Sequence, residues 1–323
     1  MGNPRMAYCL YSALIWLGLT AGAAAEELKI IVHTVSGGHM IHARVFAQHL
    51  QKYSGQPVTI KAVPGAAGVA AANYLYNVAP KDGTEIGTID SRVPVQFLAK
   101  SEGVKYDISK FGWLGSAVDG RREPFVFWAK AGSDPLVAGT EGGSSINHIR
   151  LINSVLRWDM KEVVGYTDSA QAKLAFERGE INLVAYNLTG IRTTSPAWLT
   201  DMTILPMIQY GNGRVRHKSL PFTTTAMELA ATEEDRKLVE AFERLLILSR
   251  PFAAPPGVPE LRLAYLRTLF ERTVTDPEYQ ADATKIGVVP SPLSWNETQE
   301  IVRSMVSTDQ KIVRRISEFQ RGS

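Results

Sequence analysis

Three short stretches carry the residue types most able to hold a ligand: Ser36-Gly37-Gly38, Gly65-Ala66-Ala67-Gly68 and Gly142-Gly143-Ser144-Ser145. Each sets small side chains between a β-type apolar run and a helical pattern, so a ligand can approach the main chain closely. Where such a turn opens a helix, the first amides lack intrahelical partners and carry roughly half a positive charge, which suits a carboxylate. Ser144, Ser145 and Thr167 add hydroxyl donors. Tight turns and caps are the commoner use of these residues, so their recurrence, not any one of them, points to a site. They are not nucleotide loops. None has the Gly-x-x-x-x-Gly-Lys-Ser/Thr spacing, and Gly37-Gly38 lacks the third glycine of a dinucleotide fingerprint.

Other constellations are weaker. His42 and His49 share a helical face, but two turns separate them by about 10 Å, too far for one metal ion. His33 could approach His39 across the preceding turn, although no spacing rule requires it. The histidines therefore read as solvated or structurally hydrogen-bonded, with no metal site and no cofactor. Ser36 or Ser144 with His148 and Asp168 forms a nominal triad, but no Gly-x-Ser-x-Gly elbow presents the nucleophile. A secreted α/β hydrolase acting on a carboxylate or ester is the alternative reading.

The elements that would position the turns alternate. Leu28–Val32, Val58–Val63, Ile86–Ile89, Phe125–Trp128, Glu162–Val164 and Ile181–Ala185 read as strands. Between them lie helical patterns, such as Ala43, Phe46, Ala47 and Leu50 on one face, then 145–156 and 169–178. This rhythm predicts an α/β chain of βαβ units on mostly parallel sheets. Later helices are expected at 233–248, 261–274 and, as one element, 297–319, with Ser294 and Glu297 forming a capping box. Ile301, Met305, Ile312, Ile316 and Phe319 form its core-facing stripe. Crossings between two lobes are expected at 122–130 and in the proline-rich stretch 248–259.

A length of 323 residues suggests about two domains of ordinary size. The formal charge of +3 is scattered and leaves no nucleic-acid footprint. Residues 1–25 read as a secretory signal peptide: Arg5, an apolar run from Met6 to Ala21, then Ala23-Ala24-Ala25 before Glu26. Cleavage after Ala25 would remove Cys9, the sole cysteine, and with it all thiol chemistry. A soluble protein of an oxidising compartment is the expected product.

The ordered turns resemble a known family. Leu28–Val32 leads to Ser36-Gly37-Gly38 and Ala43-Arg44. Pro64–Gly68 leads to Ala71–Leu75, then Ala79-Pro80-Lys81-Asp82-Gly83-Thr84 and Ile86-Gly87. Phe111–Ser116 and the serine-rich turn ending at His148 continue a match that resembles the solute receptors of tripartite tricarboxylate transporters. That resemblance implies a type II periplasmic binding fold, two α/β lobes about a cleft. Residues 26–122 and 252–323 would make lobe 1, and 123–251 lobe 2. It implies a monomeric, noncatalytic receptor passing an organic carboxylate to membrane subunits. By the same resemblance, Ser36, Gly37, Gly38, Ala66, Ala67, Gly68 and Ser91 would hold the ligand from lobe 1. Ser144, Ser145, His148, Thr167 and Asp168 would meet it from lobe 2. Two positions depart from the pattern. Met40 replaces a customary aspartate and would face either an apolar part of the ligand or the core, and Ala67 replaces a third glycine.

Overall fold

The computed structural model describes residues 27–140, 144–166, 169–200, 202 and 204–321. The expected leader and Gly142, Gly143, Thr167 and Asp168 lie outside them. The chain opens with β1 (Leu28–Val32), α1 (Gly37–Ser54), β2 (Val58–Ala62), α2 (Val69–Asn77), β3 (Glu85–Thr88), α3 (Arg92–Leu98) and β4 (Gly112–Ser116). A second series follows: β5 (Phe125–Lys130), β6 (Val137–Thr140), α4 (Ser144–Leu156), β7 (Lys161–Val164), α5 (Ser169–Arg178), β8 (Leu183–Asn187), α6 (Leu188–Thr194), α7 (Ala197–Thr200) and β9 (Ile204–Tyr210). The remainder is mostly helical: α8 (Ala226–Leu229), α9 (Glu233–Ile247), β10 (Pro251–Ala254), α10 (Glu260–Thr275), α11 (Pro277–Lys285), α12 (Trp295–Val306) and α13 (Gln310–Arg321).

These strands form two open sheets, ordered β2-β1-β3-β10-β4 and β7-β6-β8-β5-β9. In each, three parallel strands are extended by antiparallel pairings, β10 between β3 and β4, and β5 between β8 and β9. β1 shows why it sits centrally: Leu28, Ile30, Ile31 and Val32 are all buried, as a strand covered by helices on both faces requires. The chain passes between sheets at 117–124 and at 248–250. The two passages pair with each other, Asp119 opposite Leu248, and Ser249 N–H donates to Val118 O at 3.3 Å. Residues 291–293 join this ribbon through Ser291 and Leu293. The first crossing thus precedes the expected 122–130, because 125–130 is already β5, paired on both edges.

β10 was not legible as a strand. Its four residues begin at Pro251, whose missing N–H is tolerated at a strand start, and all four are buried. The expected single helix over 297–319 is two helices broken at 307–309, where Asp309 accepts the Lys311 amide at 2.7 Å and starts α13. The Ser294–Glu297 capping box is present. α12 packs on β4, but α13 lies against α4 and α9 rather than returning wholly to the first lobe. The reason is its apolar face: Ile312, Ile316 and Phe319 join Ile152 and Phe242 in one core cluster spanning both lobes. A second cluster, confined to the first lobe, stacks Phe46 on Phe252 at 4.1 Å. Burial of each ring contributes roughly 1.5–3 kcal/mol.

One glycine holds the ribbon. A methyl at Gly120 would collide with the Leu246 carbonyl oxygen and close on the carbon behind it, both backbone atoms that cannot rotate away. Gly120→Ala is expected to cost about 3 kcal/mol, read as a lowered urea midpoint, because α9 and the crossing must separate. Unchanged stability would show that the ribbon is loose.

Candidate ligand pocket

Both sheets turn the C-terminal ends of their parallel strands toward the ribbon, since β4 leaves the first sheet there and β5 enters the second. Loops at such ends are where open α/β sheets bind ligands. In the first lobe the β1–α1, β2–α2 and β3–α3 loops converge there on a pocket of about 300 Å3, lined by His33, Thr34, Ser36, Gly38, His39, Gly65, Ala66, Gly68 and Arg92.

The local chain geometry leaves donors free. Ser36 occupies the N-cap of α1 in an extended conformation, but its side chain makes no capping hydrogen bond. The first-turn amides of this 18-residue helix are therefore not satisfied by the usual cap. In the second loop Gly65, Ala66 and Gly68 all have positive φ, 136°, 45° and 93°. Only glycine takes this region cheaply, so Ala66 carries local strain at the pocket wall. Gly68 is held for a second reason, because a Cβ there would lie 3.1 Å from Asp90 Cβ and 3.2 Å from Val93 Cγ2.

The floor is an ionic cluster. Asp90, 3% exposed, accepts from Arg92 Nε at 2.6 Å and Nη2 at 3.2 Å, and its Oδ2 lies 3.1 Å from His33 Nε2 and 3.8 Å from His39 Nδ1. Burial alone would raise its carboxyl, but His39, Arg92 and His33 outweigh it and hold the group well below the usual carboxylate range. Arg250, from the ribbon, reaches beneath α1: its Nη1 is 2.8 Å from His39 Nε2 and its Nη2 would sit 3.7 Å from a Cβ on Gly38. Burial and the neighbouring Arg250 keep His39 neutral well below its ordinary pKa, and burial does the same for His33.

His33, His39 and Asp90 offer ligand atoms within 4.8 Å of one another, a set able to hold a metal ion. The surroundings argue against a cation. Arg92 takes both carboxylate oxygens, and donation from Arg250 to His39 Nε2 leaves the proton on Nδ1, the atom facing Asp90. Two guanidinium groups against one carboxylate leave a positive floor, fit for an anion. The other such set, His49, Asp276 and Glu278, is already bridged by Lys52, whose Nζ lies 3.0 Å and 2.9 Å from the two carboxylates.

The candidates named from sequence fall into groups. Ser36, Gly38, Ala66 and Gly68 line the pocket, Gly37 (φ 79°) precedes Gly38 in the first turn of α1, and Ala67 lies between Ala66 and Gly68. Ser91 is the N-cap of α3, but its neighbour Arg92 lines the wall instead. Ser144 and Ser145 open α4 at the facing edge of the second sheet. His148, one turn further on, is buried, with Phe125, Tyr210 and Phe242 rings 4.6, 5.4 and 6.3 Å away. Desolvation lowers its pKa to about 4, and this packing removes it as the base of a triad. Met40 is also core, packed with Phe46, Leu50 and Phe252. Met40→Asp, which the family pattern suggests as a polar anchor, would bury a carboxylate instead. A stability loss of about 3 kcal/mol or more is expected, read by urea unfolding, with no gain in ligand affinity. A stable variant that binds more tightly would overturn that placement.

Sequence reasoning missed His33, His39 and Arg92 as pocket residues, and Arg250 as the group behind His39. Arg92 had a signal, the polar turn ending β3. Arg250 had none, since it arrives from far along the chain.

Two α/β lobes joined by paired crossings, with a donor-rich pocket at the strand ends, define the type II periplasmic binding-protein fold. Solved structures agree. A TctC solute binding protein from Polaromonas, without ligand, superposes with a TM-score of 0.66 at 14% identity, over 92% of this chain and 98% of that one. MatC from Rhodopseudomonas palustris, with bound malate, gives 0.63 at 18% identity, over 89% and 99%. In sequence, the chain is 21% identical over 311 residues to the UPF0065 protein in the gbd 5′ region of Cupriavidus necator, over 89% of this chain and 86% of that protein. No family model matches. No helix among the described residues is long and apolar enough to cross a membrane.

Proposed function

We propose that this chain is a noncatalytic periplasmic receptor of the tripartite tricarboxylate transporter type, which captures a small organic carboxylate and presents it to membrane subunits. The observation that carries this reading is the first-lobe pocket, where uncapped α1 amides meet the Arg92 guanidinium on the wall and the Arg250 guanidinium behind His39. The malate held by MatC, a protein of the same fold, supports a di- or tricarboxylate as the solute class. The leader-like residues 1–25 support export.

Capture needs no covalent step. One carboxylate of the solute exchanges water for the amides of Gly38 and His39 and for the guanidinium groups behind them. Preorganised donors do this at lower entropic cost than mobile lysines. The start of α4, with Ser144 and Ser145, then closes from the second lobe. Contacts made only on closure favour the closed population by their differential affinity.

A thermal-shift and calorimetry screen of the mature protein against organic acids tests the reading. At least one di- or tricarboxylate is expected to bind and be recovered unchanged. Gly38→Val, which places a branched side chain on the pocket wall beside Arg250, is expected to abolish that binding while the circular dichroism spectrum persists. Turnover of the acid would favour the hydrolase alternative, and undiminished binding by folded Gly38→Val would remove the carboxylate from this pocket.

A further inference from the structure

A larger cavity lies on the other side of the crossing ribbon. It encloses about 900 Å3 along the edge where β4 and β9 end, and shares no lining residue with the first-lobe pocket. Its walls come from both lobes: residues 209–218 with Leu188 and Arg192 from the second, 289–293 with Glu297 from the first, and the crossing 119–124 between them.

The lining is strongly basic. Arg121, Arg122, Arg192, Arg216 and Lys218 all face this one space. Asp119 is taken by Arg121 at 2.8 and 2.9 Å, and Glu297 is committed to capping α12 through Ser294 at 2.8 and 2.6 Å. Glu228 engages Arg216 with both oxygens. Arg122, Arg192 and Lys218 have side chains without an ion-pair partner among the described residues, and with Glu123 also in the lining the five cations still exceed the three carboxylates, Asp119, Glu123 and Glu297, that share the cavity.

We infer that this groove is a second anion site, separate from the solute pocket, for a small polyanion bearing two or more carboxylate or phosphate groups. Spacing favours more than one anionic group, because the unpaired cations belong to different elements: Arg122 to the crossing, Arg192 to α6 and Lys218 to the loop after β9. An occupant would touch both lobes. A compact dianion fits, whereas a monocarboxylate would leave most of these charges unanswered.

The probes are pyrophosphate and citrate, titrated calorimetrically into the mature protein at low and high salt, with the double variant Arg122→Gln/Arg192→Gln and the solute-pocket variant Arg250→Met alongside. Wild type is expected to bind at least one probe in a salt-sensitive step that weakens about tenfold or more in the double variant and persists in Arg250→Met. Response to pyrophosphate alone assigns a phosphate occupant; response to citrate in a step separable from the solute pocket assigns an oligocarboxylate. Absence of any step sensitive to the double variant, for both probes, overturns the site. That result would leave the solute-pocket reading standing, since Arg250→Met tests it separately.

Discussion

Arg250→Met should weaken organic-acid binding by roughly thirty- to a hundredfold while leaving a folded protein, because a hydrogen bond to a charged group is worth about 2–3 kcal/mol in a buried site. The guanidinium lies under the first turn of α1, 2.8 Å from His39 and also donating to Ser249 O at 3.2 Å. Burial lowers its pKa, but a guanidinium starts high enough to stay charged, and Asp90 supports that charge. Removing it takes away a donor and half of the floor's positive charge, and it frees His39 to change tautomer. Methionine preserves most of the apolar stem, so packing at the ribbon should survive. Arg250→Lys separates charge from geometry: the cation remains, but it cannot reach both His39 and a ligand as a planar fork does. An intermediate loss of about tenfold is expected for it. Calorimetry with the best acid from the screen, checked by melting curves, decides the matter. Folded Arg250→Met binding within twofold of wild type would place the carboxylate elsewhere.

Acidification should destabilise the protein well before carboxylates begin to protonate. Burial lowers His42 from an ordinary 6.5 to about 3 and His148 to about 4. His42 is fixed by a 2.8 Å contact with the Tyr279 hydroxyl, and His148 by its aromatic neighbours. The folded protein therefore keeps both rings neutral, while the unfolded chain takes up protons once the pH falls below about 6.5. Stability is complete above that value and declines as the pH falls toward the folded pKa values. His33 and His39 are shifted the same way. Asp90 acts in a lower window: its depressed carboxyl adds stability above about pH 4 that is lost only below it. Between about pH 7 and 4.5, His42 and His148 should each remove about 2–3 kcal/mol, a large share of a typical folding free energy. Urea unfolding at the two pH values measures the slope. His148→Leu, of similar volume among Phe125, Tyr210 and Phe242, should abolish its share of the slope. Equal wild-type stability at both pH values would show that these histidines are not held neutral.

The solute-pocket turns were legible because turn chemistry is local. Ser36-Gly37-Gly38 and Pro64–Gly68 each follow a β-branched run and precede a helical face, and small residues at that junction announce positive φ or close approach. The α/β class was legible for the same reason: alternating periodicities of short range dictate strands and helices one at a time. β10 escaped because four residues beginning with proline carry no period, and their strand character comes from β3 and β4 on either side. The break at 307–309 escaped because the apolar stripe keeps its spacing across it, although the two helices pack on different lobes.

The amino-acid sequence by itself determined the α/β class, the two glycine turns and an export-like start, since each depends on residues within a few positions of one another. Tertiary structure alone decided which charged groups face those turns. Asp90, Arg92, His33 and His39 meet because three parallel strands end at one edge, and Arg250 joins them because the second crossing returns beneath α1. It also withdrew Met40 and His148 into cores, a choice made by the apolar neighbours that surround them. Local pattern sets backbone conformation, but the field at a binding pocket is a sum over residues brought together only by packing.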